Sequence, residues 1–210
     1  MHKKILAICA ALVALAVVPA AASASPVLTT SAGATVATGS KLTAVNNGSI
    51  VFTGSNGVNV TCSSSTMGGQ VKTNSGTLIE GTIESATFTG AGGGKCSSNG
   101  LGEVGVTVPG LKAGTSHWCI KTTKTADAFE LIGANCGTAS GTLTFILHTA
   151  VGECQYTRTS SVTGTFTTNV VPATLTLGGE PEFTRENSNA LCPSSGKLHA
   201  KYDLTGYKIS

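Results

Sequence analysis

The residues of this chain that could do chemistry are three histidines, a glutamate cluster, a glycine-rich loop and a set of cysteines. His117, His148 and His199 could each act as a general base toward one of many serines, oriented by a carboxylate. No G-x-S-x-G elbow fixes a nucleophile. His148 and His199 fall on outward positions of predicted strands, so they read as surface histidines. Glu180, Glu182 and Glu186 gather around Pro181. Oxygen ligands on a loop can hold Ca²⁺, and paired carboxylates can cleave glycosides. The calcium-loop spacing is missing, Arg185 sits in the middle, and a glycosidase needs carboxylates facing across a cleft. The cluster reads as a solvated loop. Gly90-Ala91-Gly92-Gly93-Gly94-Lys95 looks like a phosphate loop but fails the G-x4-G-K-[ST] order, because Lys95 is followed by Cys96. It reads as a turn that delivers Cys96 to a disulfide. No residue is assigned as catalytic, cofactor-binding or metal-ligating, and no cofactor is called for.

The cysteines carry the clearest chemistry. The chain opens with basic Lys3 and Lys4, an apolar run from Ile5 to Val18, Pro19, and small residues ending at Ala22-Ser23-Ala24. That is the form of a secretory signal peptide, so residues 1–24 are expected to be removed. Cys9 leaves with them. Cys62, Cys96, Cys119, Cys136, Cys154 and Cys192 remain, an even set with no C-x-x-C pair. In an exported chain these are structural disulfides rather than metal ligands or a redox pair. Of the 15 pairings six cysteines allow, the sequential one is expected: Cys62–Cys96, Cys119–Cys136, Cys154–Cys192. Each pair then brackets an antiparallel excursion that returns to its start. Each bridge contributes roughly 3–4 kcal/mol by loop entropy.

The elements that must position these residues are strands. Apolar residues recur at period two: Val58, Val60 and Cys62; Val104, Val106 and Val108; Leu143, Phe145 and Leu147. The clearest run places Leu198, Ala200, Tyr202 and Leu204 on one face and Lys197, His199, Lys201 and Asp203 on the other. Asn47-Gly48, Asn56-Gly57, Asn99-Gly100 and Gly178-Gly179 supply turns. No segment after residue 24 keeps a helical period for three turns. The expected fold is all-β, an antiparallel sandwich or barrel-like sandwich of ten to thirteen strands over residues 41–210. Residues 25–40 lack periodicity and read as a flexible lead-in or weak edge strand. Ile50, Phe52, Val60, Ile83, Phe88, Val106, Trp118, Phe129, Leu131, Phe145, Phe166, Leu175 and Tyr202 are the expected core, with the sole Trp between the sheets.

Charge narrows the function classes. Charged residues are 11% of 210, and the net charge of +3 includes Lys3 and Lys4, so the mature chain sits near +1. That argues against a nucleic-acid backbone or an anionic bilayer as partner. No later apolar run is long enough for a membrane-spanning helix. The outward Lys197, His199 and Lys201 form the one basic stripe, either protecting a sheet edge by repulsion or docking an acidic envelope polymer.

Gly152-Glu153-Cys154-Gln155-Tyr156, Asn189-Ala190-Leu191-Cys192-Pro193 and Leu198-His199-Ala200-Lys201-Tyr202 resemble segments of secreted actinobacterial proteins with G-x-C-x-Y and C-P motifs on Thr-rich strands. The resemblance spans residues 45–206 and implies export, β architecture and structural cysteines. It brings no site. The expected function is a secreted, non-enzymatic, disulfide-stabilised β module that binds a partner, a surface or a small ligand outside the cell. One variant is an apolar cleft holding a small hydrophobic molecule, as in antibiotic-carrier apoproteins. The alternatives are a secreted hydrolase on polysaccharide or ester, and a purely structural envelope protein.

Overall fold

The computed structural model describes residues 26–123 and 127–210, so segment 1–24, expected to be a signal peptide, lies outside the described residues. Among those residues there are only β-strands, turns and one short 3₁₀ turn at Ala91–Gly93. The three disulfides pair sequentially: Cys62–Cys96, Cys119–Cys136 and Cys154–Cys192.

After β1 (Leu28–Thr30) the chain makes eight passes, each carrying two strands in succession. They are β2 (Lys41–Asn46) into β3 (Ile50–Gly54), β4 (Asn59–Cys62) into β5 (Ser64–Ser75), β6 (Leu78–Thr89) into β7 (Cys96–Ser98), and β8 (Glu103–Thr107) into β9 (Trp118–Thr122). The second four are β10 (Ala128–Ile132) into β11 (Leu143–Thr149), β12 (Gly152–Arg158) into β13 (Val162–Phe166), β14 (Ala173–Leu177) into β15 (Glu182–Arg185), and β16 (Ser195–His199) into β17 (Lys201–Leu204). β18 (Tyr207–Ile209) ends the chain.

These strands form two closed antiparallel rings. One ring runs β2, β5, β6, β9, β10, β13, β14, β17 and back to β2; the other runs β3, β4, β7, β8, β11, β12, β15, β16 and back to β3. The cyclic order of passes is the same in both. The pairs Gly164–Leu177 and Thr157–Thr184 continue one register across the junction. The rings are therefore two storeys of a single up-and-down barrel, its passes interrupted at the waist by a single residue (Ser63, Ala200), a bulge or a loop. Closure between the first and last passes comes from β2–β17 above and β3–β16 below.

This is the barrel form of the expected sandwich, with more strands than the sequence suggested because each pass is broken in two. The run 197–204 is not one strand: it changes storey at Ala200. Both of its halves are also flanked on each side, β16 by β15 and β3, β17 by β14 and β2. No sheet edge exists there for Lys197, His199 and Lys201 to protect, which corrects that expectation.

Inward faces supply the core. Phe52, Phe145, Tyr156 and Phe183 pack ring against ring in the lower storey, with centroids 4.7–5.4 Å apart. Glycine makes room for rings in both storeys: a Cβ on Gly196 would lie 2.1 Å from Phe52 Cζ below, and one on Gly164 would lie 2.3 Å from Phe129 Cζ above. Both ends are plugged. At the upper end β1 and β18 pair with each other and bury Leu28 (1% exposed), Ile209 (3%) and Val36 (5%). Residues 25–40 thus hold a packed strand, and Asn74 fastens it by bonding Leu28 N, Leu28 O and Val36 O. At the lower end the loop 186–194 is stapled by Cys154–Cys192. Arg185 Nη1 donates to Asn189 O and Cys192 O, and Tyr156 Oη donates to Pro193 O.

Gly196→Ala should destabilise the fold by about 1–3 kcal/mol, the usual cost of overpacking, because the Phe52 ring is held by Phe145 and Tyr156 and cannot retreat. Denaturant unfolding measures it; an unchanged midpoint would contradict the glycine–ring contact.

Candidate functional site

The plugs leave a cavity of about 150 Å³ at the waist, lined from both storeys. Its wall is apolar: Ile50, Phe52, Phe145, Leu147 and Phe183 below, Leu42, Met67, Phe129, Leu175 and Leu177 above. An eight-stranded barrel is just wide enough to be filled by its own side chains or to hold one small ligand. Three glycines, Gly68, Gly69 and Gly81, belong to the wall and bring no side chain to it. A Cβ on Gly69 would stand 1.7 Å from Thr82 O, so the close approach of β5 and β6 at a bulge requires the glycine.

The hydroxyl-bearing side chains of the lining are spent on protein partners. Tyr202 Oη is 2.8 Å from Ser65 Oγ, both buried. Thr82 Oγ1 donates to Glu84 Oε1 at 3.0 Å and accepts from Gln70 N at 3.1 Å. Burial raises Tyr202 to about 12, against a lowering by the Ser65 hydrogen bond. Tyr156, fully buried, is also raised to about 12 by burial, against the Arg185 charge. Hydrogen bonds from Gln70 and Thr82 outweigh burial at the Glu84 carboxyl and hold it below the usual range.

Four expected core residues, Phe88, Val106, Trp118 and Leu175, are only half-buried, and all four line this space. Trp118 is the most informative of them: it packs against the core and lines the cavity at once. The sequence pattern placed it correctly inward but carried no sign that the interior is incompletely filled.

The structure also assembles a group that the sequence did not bring together. Thr107 Oγ1 lies 2.8 Å from His148 Nε2, and His148 Nδ1 lies 3.1 Å from Glu153 Oε1. This hydroxyl–imidazole–carboxylate row runs across β8, β11 and β12. His148 sits in register with Glu153 and diagonal to Thr107. The row stands on the outer wall, with side-chain exposures of 40% for His148 and 63% for Glu153, and none of the three lines the cavity. As an exposed pair it contributes at most about 1 kcal/mol.

The remaining sequence candidates are separate. His199 is exposed on β16. Lys197, His199 and Lys201 point outward in one line across the waist. Glu182 is in register with Lys197 on one side, and Asp203, bonded to Asn47 and Thr174, closes the line. His117 N donates to Asn135 Oδ1. Glu182 accepts from Ser195 Oγ, Glu186 accepts from Gln155 Nε2, and the Glu182 carbonyl accepts from Arg158, so the acidic loop is a hydrogen-bonded part of the wall. Glu80 approaches Cys119 and Cys136, but both sulfurs are in a disulfide and hold no thiolate for a metal. Comparison with protein-family models, with curated proteins and with solved structures finds no match for this chain.

Two outcomes follow from the buried tyrosines and the flanked stripe. An unfolded tyrosine ionises near pH 10, whereas Tyr156 and Tyr202 keep their protons to about 12. Stability is therefore full below pH 10 and falls between pH 10 and 12, by about 2–3 kcal/mol for each tyrosine. Denaturant unfolding across that range measures it, and the slope should shrink in Tyr202→Phe. Lys197→Thr combined with Lys201→Thr should leave self-association at the wild-type level in light scattering; a rise would mean that β16–β17 offers an edge after all.

Proposed function

We propose that this protein is a non-enzymatic, disulfide-stabilised β module, exported from the cell, that holds one small uncharged apolar molecule inside its barrel. The observation that carries this reading is the waist cavity: plugged at both ends, walled by carbon, its hydroxyls already bonded to protein. A charged or strongly hydrogen-bonding ligand would lose its hydration there without compensation. A dry cavity of this size lined by Leu, Ile and Phe in another protein takes up benzene or xenon, which sets the scale of the ligand at a single ring. The three disulfides favour an oxidising compartment, and no described helix is long and apolar enough to cross a membrane. The barrel's apolar face points inward and its Thr-rich face outward, the reverse of a lipid-embedded barrel.

Benzene is the first probe. At 100 times its dissociation constant it should stabilise the fold by about 2.7 kcal/mol, read as a rise in melting temperature. Leu175→Phe, which fills the cavity from its wall, should abolish the rise. No shift in the wild type would overturn the reading. The hydrolase alternative rests on the Thr107–His148–Glu153 row alone. Turnover of a chromogenic ester that disappears in His148→Gln would favour it.

A further inference from the structure

A cavity plugged at both ends needs a door in its wall. Most waist junctions between neighbouring passes are tied shut. Asn46 bonds Ser63 O and Ser65 N between the first and second passes, and Cys62–Cys96 joins the second and third. Arg158 reaches Glu182 O between the sixth and seventh. Leu177 N to Ala200 O, and Asn47 N to Lys201 O, secure both sides of the eighth.

The fourth pass is different. On its β6–β7 side the ladder stops at Ile83–Trp118 and resumes only at Cys96–Val104. On its β10–β11 side it stops at Cys119–Ile132 and resumes at Thr107–Ile146. Between these limits β6 and β8 lie side by side without a backbone pair among the described residues. The sequence gives the cause: Pro109 has no N–H to offer a ladder, and Gly110 follows with φ +84°, a left-handed turn out of the sheet. Residues 109–117 leave the wall and close on themselves as a tight turn, Lys112 N to Ser116 O and back. Leu111 packs this flap onto the core without lining the cavity. The far end is pinned by the His117–Asn135 hydrogen bond and the Cys119–Cys136 bridge. Phe88, Val106, Val108 and Trp118, all half-buried and all part of the cavity wall, lie along this seam.

We infer that this seam is the gate of the cavity: the 109–117 flap swings on Gly110, withdraws Leu111, and admits a single-ring apolar molecule past Trp118 and Phe88. The inference rests on the proposed ligand reading for its occupant, but the opening itself can be read without any ligand. Leu111→Ala removes the flap's anchor and leaves the cavity wall intact. Acrylamide quenching of Trp118, the sole Trp, should rise severalfold in this variant under conditions where it remains fully folded by circular dichroism. Benzene, followed by NMR exchange, should enter and leave about tenfold faster with the same dissociation constant. Val36→Ala, which loosens the upper plug instead, should change neither rate. Quenching and exchange unmoved by Leu111→Ala, or hastened by Val36→Ala instead, would overturn the gate. Quenching that rises while benzene binds to neither protein would overturn the ligand reading and, with it, the seam's role as a ligand door.

Discussion

The structure depends on one ladder, the pairing of the first pass with the last. Asn46 meets Tyr202 and Val51 meets His199, residues separated by most of the chain. Until that ladder forms, each hairpin is a ribbon with one apolar face in water. Once it forms, every inward position faces the same enclosed space, and that space has a size fixed by eight strands and their tilt rather than by the volume of the side chains. The two storeys resolve this constraint differently. The lower one is filled by four aromatic rings packed over glycine. At the waist the wall itself carries glycine, and the surplus volume remains as the cavity.

Closure also fixes where strain and openness can go. The ends of a barrel must be covered, and here the covering elements are covalent or strongly bonded: a two-stranded ribbon fastened by Asn74 above, and a loop held by Cys154–Cys192, Arg185 and Tyr156 below. The wall can then yield only where its ladder is incomplete. Pro109 and Gly110 make it incomplete beside the fourth pass, and the middle disulfide ties that pass, at Cys119, to the loop of the fifth that carries Cys136. Each bridge thus has a distinct mechanical role. Cys62–Cys96 shuts a waist junction, Cys154–Cys192 shuts an end, and Cys119–Cys136 ties the fourth pass to the loop of the fifth beside the 109–117 turn.

What was legible in the sequence was local. Period-two runs such as Leu143-Phe145-Leu147 identified inward faces, and the sequential cysteine pairing followed from excursions that return to their start. Barrel closure was not legible, because no residue in β2 announces β17 as its partner. The break at Ala200 was hidden for a related reason: the alternation of Leu198, Ala200, Tyr202 and Leu204 continues unbroken through it, since both storeys share one interior. The Thr107–His148–Glu153 row needed the register of three strands before it could be seen. The place of Trp118 on a cavity wall needed the whole ring, which encloses that cavity.

The low charge of the chain acquires a physical reason from this architecture. A chain with 11% charged residues repels its own copies weakly, and in an open sheet it would leave unpaired strand edges as templates for association. A closed barrel has no such edges. The strands outside the rings, β1 and β18, are three residues each, pair with each other, and are further tied by bridges from Thr29 to Thr35 and from Ile209 to Thr168. Backbone closure does here what charge does in other β proteins. Threonine can therefore occupy most of the outward face, where its branched side chain suits the pleat, without exposing the chain to edge-to-edge pairing.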